Sequence, residues 1–450
     1  MDFSESYKCS LTPVFSPDGV YVAAVVEYRL VIREVQSLNV VQLYSCLDKI
    51  HKLEWDSSSR YVLCGLYDRA TVQVWSVDDP EWACKIDEGP AGVAHCMWAP
   101  DGLSVLLVAD FCVRMTAWGL ASRRCSYLPG PKHAAKGVAF DAGGGRMAVL
   151  ERKECKDWVA VYDCSGGDGW ALSSRFQVDT LDAADLAWSP DGSKIAIWDS
   201  PLAYKVAVHS PEDGGLLGSY SAYDDALGVK SAAWGPGGGV LALGSYDQVA
   251  RALNPVTWRP LLECRHGSPV AGPAGAAVYE EVEEARGVLA PLQAQQAGGG
   301  AAGSPARREA RARFAVRPLP AEITSVPPPK DKPNPKLGVG TLAWSPDGQL
   351  LATVNDNMPH ALWVWDAPAA ELAAVLVHAA PVRGAAWSPD GGALAAVTGG
   401  GRLYLWSPSG ASVVHIPLPG FQACGVAWAQ GGGALVLSDR DAFCCGYVGS

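Results

Sequence analysis

Apolar residues in this chain come in short runs, many of them alternating with polar ones, and each run is cut off by a polar turn. The segment 341–366 shows the unit. An apolar run ends at Trp344, the turn Ser345-Pro346-Asp347-Gly348 follows, and a second run covers 350–354. A polar turn at 355–359 then leads into Leu362-Trp363-Val364-Trp365 and Asp366. Short runs with a period of two predict β-strands rather than helices. Pro presets the turn's φ, Asp bonds nearby backbone and Gly accepts a positive φ. The chain is therefore expected to be all-β.

The unit recurs. Its first run ends in an aromatic residue at Phe15, Trp55, Trp98, Phe140, Trp188, Trp234, Trp344, Trp387 and Trp428. Successive anchors lie 40 to 48 residues apart, except for a gap of 110 between Trp234 and Trp344. A period of ~40–45 residues is that of a four-stranded propeller blade. The pattern resembles the WD-repeat β-propeller. The family dipeptide stands at Trp365-Asp366, while Trp75, Trp118 and Trp406 are followed by Ser, Gly and Ser. The resemblance implies a structural Asp-His-Ser/Thr-Trp network. Its members carry over to Asp68, Asp247 and Asp356 with Trp75 and Trp365, and Asp366 completes the dipeptide. Of the histidines that usually end a repeat, His378 sits near the right place.

Nine units imply a ring of about nine four-stranded blades spanning 1–450. The ninth unit stops after its third strand, and a spare strand precedes the first anchor at about 6–11. An open sheet edge is an aggregation hazard, so residues 7–11 are expected to complete the last blade beside 444–448. An eight-bladed ring with one repeat outside it, or two partial rings, satisfies the same spacing. Residues 268–337 break the pattern between blades six and seven. They are rich in Pro, Gly and Ala and read as a low-complexity loop. Its two apolar patches, 276–282 and 314–319, are the material for an interleaved hairpin.

Composition narrows the functional classes. The formal charge of −11, from 47 acidic and 36 basic residues, lacks the basic footprint that general nucleic-acid binding needs. No run approaches the ~18 apolar residues of a membrane span, and the first residues do not form a signal peptide. The 13 cysteines are scattered without C-x-x-C spacing and read as reduced, mostly buried thiols of an intracellular protein. Neither a phosphate-binding loop nor a nucleophile elbow is present. Asp18, Asp101, Asp191, Asp347 and Asp390 recur at one blade position, but each belongs to a turn. No catalytic residue, metal ligand, cofactor or small-molecule substrate is assigned.

What remains is a docking platform, because a ring exposes many loops. One candidate partner surface is the acidic loop with Pro80, Glu81, Trp82, Asp87 and Glu88. Aromatic residues of this kind are enriched in interface hot spots, although Trp82 could equally open a strand and pack on its neighbour. Another is the loop with Tyr220 and Tyr223. A third is the longer turn at 355–360. In the insertion, Arg307, Arg308, Arg311 and Arg313 form a basic run suited to an acidic partner.

Several stretches carry a closer likeness: Val72-Gln73-Val74-Trp75 with Pro80-Glu81-Trp82; Gly244-Ser245-Tyr246-Asp247 with Asn254-Pro255-Val256-Thr257-Trp258; and Arg402-Leu403-Tyr404-Leu405-Trp406. Together these resemble the centrosomal WD repeat-containing protein eight family, the WRAP type antisense to the p-seventy-three locus. The likeness runs from the start to about residue 448, with the insertion divergent. It implies a non-enzymatic scaffold of centrosomes, centriolar satellites, basal bodies or spindle poles, on the cytoskeleton of the cytoplasm. It also implies microtubule minus-end anchoring, spindle organisation and cilium assembly. Implied partners are a coiled-coil microtubule-anchoring protein and, in fungi, a minus-end kinesin. The runner-up reading is a propeller scaffold of translation initiation.

Overall fold

The computed structural model describes residues 1–165, 169–271, 276–283, 311–328 and 336–449. Nine sheets follow one another along the chain, antiparallel except for one parallel pairing in the seventh. They span 14–45, 52–87, 95–129, 138–178, 183–220, 229–265, 339–377, 384–415 and 425–447, and are numbered here as blades one to nine. The first strands of adjacent blades lie against one another and form the inner wall. Among the described residues the helical pieces are three single 3-10 turns, at Tyr67–Arg69, Gly89–Ala91 and Asp110–Cys112.

The core explains both the strand pattern and the closure. Buried apolar residues form nine clusters, and each spans one junction between adjacent blades. In Tyr61–Leu66, Val62, Cys64 and Leu66 join blade one while Leu63 joins blade three. A strand covered on both faces reads as a continuous apolar run. The ninth junction packs Val22, Ala24 and Val35 of blade one against Val436, Phe443 and Cys445 of blade nine. The ring is therefore closed with nine blades. The eight-bladed and two-ring alternatives fail because every junction, including the last, is packed.

The anchors tie the blades together. The indole N–H of Trp55, Trp98, Trp188, Trp234, Trp344, Trp387 and Trp428 donates to the first strand of the preceding blade. The acceptors are the carbonyls of Val14, Glu54, Ala139, Ala187, Ala233, Ala343 and Ala386, at 2.9–3.2 Å. Phe15 and Phe140 fill the same position without a donor. In the recurrent turns the serine hydroxyl donates to the Asp carboxylate, at 2.5 Å for Ser16–Asp18, Ser345–Asp347 and Ser388–Asp390. These bonds hold the Asp347 and Asp390 carboxyls below their ordinary range. The repeated aspartates are thus turn residues.

The N-terminal strand closes blade nine, in two short pieces rather than one. Asp2–Phe3 pairs with Tyr447 and Gly446, and Tyr7–Lys8 pairs with Phe443 and Ala442. The insertion contributes a hairpin, Ala277–Glu283 with Ala312–Arg317, which makes blade seven six-stranded. Ala277–Glu283 runs parallel to the blade's own outer strand, Glu371–Val377. The hairpin also reaches blade eight. Glu281, whose side chain is 1% exposed, accepts from Arg402 at 2.5 Å, from the Tyr404 hydroxyl at 2.9 and 3.0 Å and from the Ala379 amide at 2.8 Å. The Ala312 amide donates to His415 at 3.0 Å, and Phe314 packs edgewise on His378. The segment read as a loop, with an interleaved hairpin as the alternative, carries that hairpin in its described part, as a staple between two blades.

Candidate functional site

The residues assigned to the family network come apart. In blade seven the Trp365 indole donates to Thr353 Oγ1 at 2.9 Å. His266 binds the same hydroxyl through Nε2 at 2.8 Å and the Gln248 carbonyl through Nδ1 at 2.8 Å. A carbonyl only accepts, so Nδ1 carries the proton and the threonine hydroxyl donates to Nε2. Burial pushes this imidazole down to about 4, which keeps it neutral. The histidine of this network is therefore His266, at the end of blade six, while His378 holds the equivalent place after the outer strand of blade seven. Asp247 and Asp356 are also placed elsewhere: Asp247 chelates Arg251 and Asp356 pairs with Lys230 at 2.6 Å. Asp68 lies 3.3 Å from His51, Trp75 stacks on Tyr44, and Asp366 caps the Ala369 amide. These are structural contacts.

The acidic loop divides. Pro80 and Glu81 are exposed, and Trp82 is half-buried against Tyr61 at a centroid distance of 4.9 Å. Trp82 leads into the outer strand Ala83–Asp87 and, with Trp118, lines a groove of about 360 Å³ between blades two and three. Asp87 is exposed. Glu88 is not a surface residue: its buried carboxylate accepts from the Trp118 indole at 2.9 Å and from Arg114 at 2.8 Å. The turn at 355–360 is also structural, with Asn355 and Asn357 buried and Met358 in the core. Arg311, just before the hairpin's second strand, and Arg313, within it, are exposed, and Arg307 and Arg308 lie outside the described residues.

The two tyrosines come together in a pocket of about 600 Å³ on blade five. It lies on the face that carries the loops between second and third strands and between successive blades. Tyr204 stands between them, 5.9 Å from Tyr220 and 4.8 Å from Tyr223, nearly perpendicular to both. Its hydroxyl bonds Ser245 and that of Tyr223 donates to the Leu227 carbonyl. Burial and then Tyr204 push Tyr220 up to about 12, and burial and then Asp247 do the same for Tyr223. All three are neutral phenols.

The rim is held from below. Asp199 is fully buried and accepts from the amides of Leu181, Asp182 and Ser200 at 2.7–3.0 Å. Asp157 is fully buried too and bonds Lys132, Arg152, the Thr180 hydroxyl and the Ala183 amide. Burial works against its charge, but those donors outweigh it and hold the carboxyl below its usual range. The loop so clamped displays Leu181, 72% exposed, and the loop after Asp199 displays Leu202, 82% exposed. Sequence reasoning missed Tyr204, Leu181 and Leu202. Exposed leucines on clamped loops beside an aromatic pocket are the features of a protein contact site. Among the described residues no group of three or more His, Cys, Asp and Glu is placed to hold a metal, and no helix is long and apolar enough to cross a membrane.

The model of the WD domain, G-beta repeat, matches residues 371–407, from the outer strand of blade seven to the third strand of blade eight. Among solved structures, the C-terminal WD40 domain of Sif2 superposes with a TM-score of 0.53, at 10% identity over 99% of each chain. A eukaryotic initiation factor gives 0.58 at 11% identity, over 92% of this chain and 90% of that one. Identities this low speak to the fold alone. An uncharacterized WD repeat-containing protein of Schizosaccharomyces pombe, C32H8.09, is 25% identical over 59% of this chain and 57% of its own. The WD repeat-containing protein WRAP73 of Mus musculus is 42% identical over 455 residues, covering 100% of this chain and 96% of the relative. With every blade inside that alignment, the chain belongs to the WD repeat-containing family of WRAP73.

Proposed function

We propose that this protein is a non-enzymatic interaction scaffold of the centrosome or spindle pole, where it anchors microtubule minus ends and supports spindle organisation and cilium assembly. The reading is carried by the full-length likeness to WRAP73, which takes in all nine blades. The architecture supports it. The ring is packed at every junction, so its loops are held on a rigid frame, and clamped loops present aromatic and aliphatic side chains to partners. The expected partner is a coiled-coil protein of the microtubule-anchoring machinery.

The test is to tag the protein in its own cells and follow it through the cell cycle beside a pole marker. The expected result is concentration at basal bodies or spindle poles, with splayed poles on depletion. Diffuse signal indifferent to microtubule state, or co-purification of ribosomal subunits in place of coiled-coil pole proteins, would overturn the proposal.

A further inference from the structure

The geometry points to the blade-five pocket as a receptor for an arginine side chain, carried by an extended and otherwise aliphatic segment of a partner protein. This deepens the scaffold reading and rests on it only in that the ring works by binding proteins.

Three independent features select that occupant. The walls include the ring of Tyr204 and those of Tyr220 and Tyr223, each nearly perpendicular to it. A neutral phenol presents an electron-rich face, which attracts a cation and lets a planar guanidinium stack. Tyr204 itself already takes part in one example of this chemistry, with a residue outside the pocket lining. Arg251 lies 5.9 Å from the Tyr204 centroid while Asp247 grips its guanidinium.

The second feature is charge. The lining holds Asp199, Asp224 and Asp225 against Lys205. Lys205 is engaged at 2.6 Å by Asp179 just outside. Asp224 and Asp225 are exposed and make no ion pair among the described residues. The mouth is therefore anionic and repels a carboxylate or phosphate. A guanidinium fits better than an ammonium, because its fork can meet a carboxylate while its plane lies on a ring.

The third feature is the rim. Leu181 and Leu202 come from different loops, and both are mostly exposed. Aliphatic residues flanking the arginine would bury them. The cavity of about 600 Å³ takes a side chain together with part of the backbone that carries it.

The experiment uses the purified full-length chain and a fluorescent probe, a short peptide with one arginine between two leucines. A second probe carries citrulline in place of the arginine, which keeps the shape and loses the charge. Fluorescence anisotropy at low salt is expected to show saturable binding of the arginine peptide, weakened at least tenfold by citrulline. The double variant Asp224→Asn, Asp225→Asn is expected to weaken it about tenfold, by an amount that shrinks as salt screens the mouth. Leu202→Ser should weaken it as well, while Val256→Ser, at an exposed residue of blade six, should leave it unchanged. Equal affinity for the two probes, no binding of the arginine probe, or full affinity in the double aspartate variant overturns the proposal. The probe comparison is made on the unsubstituted protein, so it stands whether or not a variant folds. A tagged protein that still gathers at poles while the probes fail removes the pocket and leaves the scaffold; binding without pole localisation does the reverse.

Discussion

Glu281 offers the sharpest test of how the insertion is held. Its carboxylate is buried and receives donors from Arg402, Tyr404 and Ala379, all outside the hairpin that carries it. Replacing it with alanine removes the acceptor from three donors at once and leaves the Arg402 guanidinium, 17% exposed, with Glu283 at 3.6 Å as its acidic neighbour. Breaking a buried pair at one partner costs about 3–5 kcal/mol. Glu281→Gln keeps the shape and one acceptor oxygen but loses the charge, and should cost about 1.5–3 kcal/mol, the net contribution of hydrogen bonds to a charged group. Besides this site the hairpin is held by its pairing with Glu371–Val377, the Ala312–His415 bond and the packing of Phe314, so the loss appears as local opening. Amide hydrogen exchange in Ala277–Glu283 and Ala312–Arg317 should accelerate by about a hundredfold or more in Glu281→Ala, at about 1.4 kcal/mol per factor of ten. Exchange in blades two to five should not change. A cycle with Arg402→Ala isolates the pair, because contacting residues are non-additive. Unchanged hairpin exchange, or strict additivity with Arg402→Ala, would show that the hairpin is held by its backbone pairing and that the staple does nothing.

Two further predictions concern the ring. Deleting residues 1–10 removes the pieces that pair with Ala442–Tyr447, takes Cys9 from the core and breaks its amide bond to Asp441. The melting temperature should fall by several degrees and the exposed edge should promote association, read by scanning calorimetry and light scattering; an unchanged melting temperature refutes the closure. Acid should also destabilise the ring. His266 and His378 are buried, and burial pushes each down to about 4. The unfolded chain protonates them near 6.5, so between pH 6.5 and 4 the unfolded state binds more protons. Their contribution is complete above pH 6.5 and is lost as pH falls towards 4, at up to about 1.4 kcal/mol per unit for each. Urea midpoints at pH 7 and pH 5 measure it, and a flat profile that does not depend on His266 contradicts the assignment.

The fold was legible because a blade is a local object. Trp344, the Ser345–Gly348 turn and strand 350–354 sit within a dozen residues, so the pattern shows itself in one window and then repeats. Closure was legible in outline, since a ninth unit without a fourth strand must find one. Its division at Ser4, whose amide and hydroxyl both bond Cys445, was not, because that depends on contacts more than four hundred residues apart. The same limit hid the staple. Glu281 sits in an acidic run with Glu280, Glu283 and Glu284, and such a run reads as a solvated face. That Glu281 is the buried one among the three described is decided by blade eight, more than a hundred residues later. His266 and His378 both follow an outer strand, and only the threonine opposite separates the network member from a packed ring. The two tyrosines of the pocket were visible, but the third ring and the leucines arrive from other loops. Glu88 looked available for the same reason that Glu281 looked solvated, since neither shows its basic partner in the neighbouring sequence.

The anchor position has a mechanical side. Seven junctions carry an indole-to-carbonyl bond, each worth about 0.5–1.5 kcal/mol, and the two with phenylalanine do not. Those two cut the circle into an arc of three blades and an arc of six. At the junction between blades nine and one, the Tyr447 hydroxyl reaches the Val35 carbonyl at 2.6 Å, and the chain itself passes across. Between blades three and four the chain also crosses, with the Lys132 amide donating to the Leu150 carbonyl at 2.7 Å, and the sheets meet through packing such as Met115 and Leu128 against Met147 and Tyr162. Apolar packing resists separation but has little directional preference, so this joint lacks one directional tie that its neighbours have. A partner laid across blades three and four would add the tie that Phe140 omits, and would stiffen the circle by holding it.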